Sequence, residues 1–400
     1  TALKIDFVRN PQGRIDKLKL PDLTEINYAY SALGDLASVT DQLGNVTTFG
    51  YLSGQFATRF PHYLEDITDA RGIRVSRNEY DPDGRLTATI DADGKRIEFT
   101  RDIQGRVETV KDRRGNATTY IYDQNGWVLS ETNALGERTA RTYDADGNTL
   151  TETNPLGHIT SRTYDPRGNT LTERDSLGAI TTMSYDGKNQ LLTQVDAAGR
   201  NVMRNVYASL GTQLRSTQDA LGHLTRFGYD SGQGSGESGE LLAIVDALNQ
   251  SIRFEVNANG WRSAEVDALG HRTTYSHDAM GRVTRETRTR TNALGIPEQL
   301  LSTNDYDSKG RIVLSMVPDG SVSTTQFNPI DKPTQSCDAL NRCTTQEYDP
   351  RGNLTRTVHA DGLSESISYD ANGNTLSQTD RGGRTTKMVY DKWSTTRLIA

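Results

Sequence analysis

The sequence predicts an all-β protein, built from antiparallel β-hairpins strung into one long ribbon. Three observations carry that prediction. A four-residue D-x-x-G segment recurs from end to end, the arms between these segments alternate as strands do, and the whole pattern repeats every 21 residues. Self-similarity at a fixed period of this length marks a repeat architecture, in which each unit is stabilised by its neighbours.

The stretch Asn78–Arg106, NEYDPDGRLTATIDADGKRIEFTRDIQGR, holds the rule for the rest. Tyr80 precedes a turn from Asp81 to Gly84, here called the tyrosine turn. Six strand-like residues lead to a second, far turn from Asp91 to Gly94. Seven more lead to Asp102–Gly105, where the cycle restarts. D-x-x-G reads as a type I turn with a bulge: Asp or Asn accepts a backbone N–H two residues on, and Gly supplies positive φ. The pairs Asp81/Gly84, Asp91/Gly94, Asp123/Gly126, Asp144/Gly147 and Asp165/Gly168 are therefore structural turn residues. Pro fills the second position where a preset φ helps, as at Pro82, Pro155 and Pro166. Asn189, Asn249 and Asn341 stand in for Gly because Asn tolerates the left-handed region, whereas Leu23 at this position has no such rationale.

The arms are rich in Thr, Tyr, Val and Ile. Thr118, Thr139 and Thr160 lie three residues after a far-turn Gly, and Tyr122, Tyr143 and Tyr164 lie seven after it. Both offsets are odd, so Thr and Tyr share one face, while Val46, Ile159, Ile180 and Leu224 take the other. Stacked in register, Tyr80, Tyr122, Tyr143, Tyr164 and Tyr185 would form a tyrosine ladder along the sheet.

The tyrosine position runs from Arg9 to Tyr390, so residues 1–400 read as a single array of about 17 repeats. Insertions interrupt it near 55–68, 231–239 and 282–305. The first, around QFATRFPHYLEDI, is expected to protrude as a loop. The second contains Gly234, Gly236 and Gly239 in a G-x-G-x-x-G string, but it neither follows a buried strand nor opens a helix, so it reads as an extended turn. In the third, the arms before and after Asn292–Gly295 each gain four residues. Equal gains preserve hairpin pairing and speak against a one-way β-solenoid. Both ends are in register without a polar cap, so the chain is expected to be a fragment of a larger shell.

A net charge of −7 and a mean hydropathy of −0.66 point to neither nucleic acid nor a membrane span. With 34% apolar residues the chain is poor in core-formers, which fits a thin wall better than a packed globule. The opening TALKIDFVRN has no apolar signal-peptide run. Cys337 and Cys343 flank the turn Asp338–Asn341 and could meet across its hairpin, but the expectation is two unpaired thiols. Without clustered histidines they make no zinc site, and no cofactor is implied.

The unit Y-D-x-x-G-R-L-x-x-x-x-D-x-x-G of Tyr80–Gly94 resembles the YD repeat of the Rhs family. That family includes bacterial Rhs polymorphic toxins, the C component of insecticidal toxin complexes and the related shells of teneurins. The likeness extends from about Arg9 to Asp391. It implies a ribbon spiralling into a hollow cocoon around a C-terminal toxin domain. Part of this follows from strand count: about 34 strands at ~4.8 Å make a ribbon of about 160 Å, or one ring about 50 Å across, too wide for its own side chains to fill. Family shells end in a D-P-x-G-L motif for aspartyl self-cleavage. The nearest strings here, Asp81–Gly84, Asp165–Gly168 and Asp349–Gly352, are followed by Arg85, Asn169 and Asn353 and sit in turn register, so no protease residues carry over.

Other chemistry reads as structure. Asp81 and Asp83 resemble the start of a calcium loop, but Ala92 holds the place of its bidentate Glu. His158, His223 and His271 directly follow a turn Gly, and no G-x-S-x-G elbow seats a nucleophile. Trp127 and Trp261, both just after a tyrosine-turn Gly, are candidate glycan contacts or sheet-packing aromatics. The expected function is an encapsulating segment of a secreted toxin, without catalytic residues, holding an inert cargo. Implied partners are an enclosed toxin domain in the same full-length chain or co-expressed, the remaining shell and core segments, and delivery or spike proteins of a secretion system. The implied location is cytoplasmic before export and secreted or delivered afterwards. The rivals are a carbohydrate- or cell-surface-binding array and an enzyme on a β-solenoid, which would need one carboxylate cluster rather than acids in every turn.

Overall fold

The computed structural model describes residues 4–209, 211–229, 239–291 and 294–391. Among them are 35 strands, β1 (Asp6–Arg9) to β35 (Thr385–Lys387), and one short helix, α1 (Gln55–Arg59). Each strand pairs antiparallel with the strands before and after it in sequence, giving one open meander whose end strands are paired on one side only.

The turns show why the chain reverses where it does. At the tyrosine turn of Asp81, the Asp81 N–H donates to the Arg85 carbonyl and the Gly84 N–H to the Asp81 carbonyl, both at 2.9 Å. Asp81 Oδ1 accepts the backbone N–H groups of Asp83 and Arg85 at 2.9 and 2.8 Å, and Gly84 has φ +81°. Beside it the register shifts by one residue: Glu79 faces Ala88, yet Tyr80 faces Leu86. The bulge lets a four-residue turn match the twist of its strands. Leu23, with φ +68°, takes the glycine's place in the left-handed region. The reversal at Asp102 departs from the pattern. Asp102 stays in the ladder opposite Val107, so the loop slips by one residue and Arg106, not Gly105, carries the positive φ of 53°.

The arms hold together by pairs that recur from repeat to repeat. Thr142 and Thr151 hydroxyls meet at 2.6 Å, as do Thr163 and Thr172. Arg141 and Arg162 each donate to a cross-strand carboxylate, Glu152 and Glu173, at 2.8 Å. Such pairs replace a core as the unit of sheet stabilisation. Among the described residues, buried hydrophobic side chains are few: Ala88, Ile90, Ala208, Phe254 and Ala264. Val46, Ile159 and Ile180 are exposed. The accessible surface of 23917 Å² is half again the roughly 15,500 Å² of a compact monomer of this mass. The protein is a wall one sheet thick.

Two expectations are corrected. The insertion near 55–68 does not hang free: it forms α1, and β6 (Leu64–Thr68) resumes the sheet. Arg59 Nη1 donates to the Pro82 carbonyl at 2.8 Å, and the Phe60 ring packs on Tyr63, which packs on Tyr80. Its apolar residues have a neighbouring turn to cover. Cys337 and Cys343 are not free thiols but a disulfide, because residues on either side of a four-residue turn face each other directly, here with Cα atoms 4.0 Å apart. Of the insertion near 231–239, residues 231–238 lie outside the described residues. In the third, β26 (Val283–Thr291) and β27 (Pro297–Tyr306) pair from Arg285–Thr303 out to Thr291–Pro297.

The ribbon bends until one rim meets the other. The far turn between β4 (Leu36–Thr40) and β5 (Val46–Tyr51) meets the tyrosine turn between β27 and β28 (Ile312–Met316), where Lys309 lies 2.9 Å from Asp41. The far turn between β6 and β7 (Arg74–Tyr80) meets the turn between β31 (Cys343–Tyr348) and β32 (Leu354–Val358) through Arg71 and Pro350. These are 23 and 25 strands further along. At ~4.8 Å per strand the coil has a perimeter of about 115 Å and a diameter of about 37 Å. The single wider ring is thus replaced by about one and a half tighter turns, since strand twist curls the ribbon sooner. With only five buried hydrophobic residues among the described residues, no apolar core marks a second layer packed against the sheet.

Candidate functional site

What the chain offers is a wall, two rims and a seam. Its wall is stitched by tyrosine hydroxyls. Tyr143, ending β13 (Arg138–Tyr143), donates at 2.8 Å to the carbonyl of Val128, the first residue of β12 (Val128–Thr132). Tyr164 makes the same bond to Thr149, Tyr80 to Leu64 and Tyr369 to Leu354, at 2.7 to 2.8 Å. Each hairpin is thereby tied to the one before it. Among the described residues successive ladder tyrosines make no ring contact, because two strand spacings, about 9.6 Å, separate them. Where Arg101 replaces Tyr, its Nη1 reaches the equivalent carbonyl, Leu86, at 2.5 Å. At Leu191 the amide of Asn205 does so at 3.0 Å, while Tyr185 instead lies 3.7 Å from Met183 Sδ. Tyr122 donates to Glu108 at 3.0 Å; burial and that carboxylate push its hydroxyl up to about 12. The preference for Tyr over Phe was the sequence signal for these hydroxyl bonds.

Trp127 and Trp261 are half-buried, and each covers the next tyrosine turn. A Cβ at Gly147 would lie 2.9 Å from Trp127 Cζ2, and one at Gly281 would lie 3.0 Å from Trp261 Cε2. Their other neighbours are Tyr143 and His277, with ring centroids 5.5 and 5.4 Å apart. The two indoles pack as turn covers in separate repeats.

Asp81, Asp144 and Asp165 are held below the usual carboxylate range by their own turns. The Asn169 amide and the turn N–H groups draw Asp165 down to about 2. Asp144 is lowered by Asn148 in the same way, and Asp81 by the Arg85 N–H. Gly94 and Gly126 have φ +74° and +87°, and Gly168 +83°; the oxygens of Asp91 and Asp123 accept the N–H groups of Asp93 and Asn125. His223 and His271 bond to Asp219 and Asp267 of their own turns at 2.9 Å. Among the described residues no three His, Cys, Asp or Glu gather as a metal would require. A surface groove of about 640 Å³ is lined in part by Asp338, Arg342, Asp361 and Arg381, and these four are joined in two ion pairs. No helix of the described residues is long and apolar enough to cross a membrane.

The seam is polar and specific. Arg351 lies 2.9 Å from Asp93 and 3.8 Å from Asp91, which Arg113 also approaches at 2.9 Å. Asn372 donates to Asp112 at 2.8 Å, Arg114 to the Asp391 carbonyl at 3.0 Å, and Arg282 lies 3.8 Å from Asp22. Apart from Arg113–Asp91, which joins two far turns of one rim, each contact brings a far turn of the first coil to a tyrosine turn of the next. Against the burial that would raise it, bonds from Asn45 and Lys309 hold Asp41 below the usual carboxylate range.

An RHS repeat model matches residues 80–117, 105–139, 122–159, 143–180, 164–200, 256–293 and 306–364, together more than half of the chain. No curated protein matches by sequence. The fold is similar to a crystal structure of TcdB2-TccC3-TEV, with TM-score 0.54 and 14% identity over 98% of this chain and 24% of that one. It is similar also to TcdB2-TccC3-Cdc42 and to a Tc holotoxin pore of Photorhabdus luminescens, each with TM-score 0.51 and 13% identity over 98% of this chain and 26% of the other. The chain spans about a quarter of the length of these structures.

Proposed function

The chain belongs to the RHS repeat family, and from that premise we propose that it is a wall segment of a hollow shell enclosing a toxin domain until delivery. The observation that carries this reading is the coil: strands return on themselves after 23 to 25 places, with almost no buried apolar core among the described residues. An interior of about 37 Å, less the side chains, holds a chain segment or a small unfolded domain but is wasted on a filled protein. Likeness of fold to TcdB2-TccC3 structures supports the same reading. The role is containment, with the wall residues committed to turns, cross-strand pairs and the seam and none to catalysis. Its partners are the remaining shell, the enclosed domain and the components that deliver it outside the cell. The Cys337–Cys343 disulfide suits such an oxidising destination.

Limited proteolysis of the full-length protein tests this. An enclosed domain stays intact while the shell is folded and is digested once denaturant opens it. A domain cut as fast inside the full-length protein as when free overturns the proposal.

A further inference from the structure

Within the seam, the leading Asp of a far turn divides its two oxygens between two tasks. Asp41 Oδ1 accepts the N–H groups of Leu43 and Asn45 at 3.0 and 2.8 Å and so builds its own turn. Asp41 Oδ2 meets Lys309 of the opposite rim at 2.9 Å. Asp112 repeats the division: Oδ1 accepts the N–H groups of Arg114 and Asn116 at 2.9 and 2.8 Å, and Oδ2 accepts the Asn372 amide at 2.8 Å. At Asp91, Oδ1 again serves the turn, while Oδ2 lies 2.9 Å from Arg113 and 3.8 Å from Arg351. Lys309, Arg351 and Asn372 hold one and the same place, the third residue of a tyrosine turn. Ile330, in that place between Lys309 and Arg351, has no donor and packs sideways: a Cβ at Gly352 would lie 3.4 Å from its Cδ1.

Each of these far turns offers the same carboxylate oxygen, so that contact alone does not distinguish one from the next. What differs is the third far-turn residue beside it. Arg351 meets Asp93, its opposite in charge, at 2.9 Å. The neutral Asn372 faces the turn that carries Arg114, which is itself 3.5 Å from Asp370 and 3.0 Å from the Asp391 carbonyl. Lys309 faces the turn that carries Leu43. None of the three pairs sets like charges together. The Lys309 and Arg351 side chains are only 17% and 15% exposed, so water would screen a wrong charge poorly.

We propose that the third residues of the two turns, taken as a pair, are the specificity determinants of coil closure: they select the far turn on which each tyrosine turn seats, and thereby fix the number of strands per coil. The shared carboxylate supplies attachment. The third residues exclude the neighbouring positions, because like charges brought face to face oppose docking. A slip by one repeat would carry Arg351 from Asp93 to Arg114. The inference rests on the coiled-shell reading and concerns how the coil finds its register.

Spin labels on Lys111→Cys and Ser368→Cys, beside the facing turns Asp112–Gly115 and Asp370–Gly373, test it by double electron–electron resonance in a Cys337→Ser, Cys343→Ser background. The otherwise native chain gives one narrow distance. Asn372→Arg, which sets an arginine against Arg114, lengthens and broadens it. Adding Arg114→Asp restores the narrow distance by copying the Arg351–Asp93 pair one repeat further on. Circular dichroism stays the same throughout, because the strands remain paired. A narrow distance that Asn372→Arg leaves unchanged, or that Arg114→Asp does not restore, overturns the proposal and leaves the coil standing. The absence of a narrow distance in the otherwise native chain overturns the coil itself, and the shell reading with it.

Discussion

Changing Gly147 to Ala probes how one repeat locks onto the next. Gly147 has φ +90°, which costs an alanine about 1–2 kcal/mol. A Cβ there would also lie 2.9 and 3.0 Å from Trp127 Cζ2 and Cε2, and overpacking a fitted contact adds about 1–3 kcal/mol. Gly126 is the control: the same kind of turn, φ +87°, and nothing within 4 Å of its Cβ. The expected losses are about 1–2 kcal/mol for Gly126→Ala and about 2–5 kcal/mol for Gly147→Ala. In a Trp127→Ala background the Gly147→Ala cost falls back to the control value, so the cycle isolates the ring contact. Hydrogen exchange of β13 and β14 (Thr149–Thr153) is the suitable assay, since a repeat array opens locally and each ~1.4 kcal/mol speeds exchange tenfold. Equal costs at the two glycines, or no relief on removing the indole, would refute the reasoning.

Other outcomes follow from the same geometry. Tyr164→Phe removes the hydroxyl bond to Thr149 and destabilises its hairpin by about 0.5–1.5 kcal/mol, whereas Arg101→Tyr is near neutral because both side chains reach the same carbonyl; urea titration with local exchange reads both. Turn carboxylates held below their unfolded value stabilise the fold fully above about pH 4. That contribution is lost as pH falls through the folded value, about 2 for Asp165. Acid unfolding followed by circular dichroism should therefore show the loss below pH 4, and Asn169→Ala should move the Asp165 titration upward by NMR. Arg351→Ala leaves Asp93 without its seam partner and loosens the coil while strand content is unchanged; a larger radius of gyration at constant circular dichroism is the expected reading.

Much of the wall was legible because turns are local. Asp, Gly and their spacing of three fix where Asp81–Gly84 and its equivalents reverse the chain, whatever surrounds them. The reversal at Asp102 was less legible, since whether Asp102 joins the ladder depends on its pairing with Val107 and not on the turn residues. The disulfide was written in the six-residue spacing of Cys337 and Cys343, which places them opposite each other, but sequence context gave no reason to prefer pairing. Phe56 and Phe60 in the first insertion hinted that it would pack rather than protrude. Least legible was the seam. Asp93 and Arg351 are ordinary turn residues in sequence, and their meeting depends on how much twist 23 strands accumulate, which no single repeat reveals.

The central claim is a one-layer wall coiled around empty space. Electron microscopy of single particles of the 400-residue chain, with solution scattering for the pair-distance distribution, tests it most directly. The account predicts a coil about 37 Å across its wall centres, with a low-density middle and a seam every 23 to 25 strands. A particle of uniform density, or an extended band whose rims never meet, would contradict it.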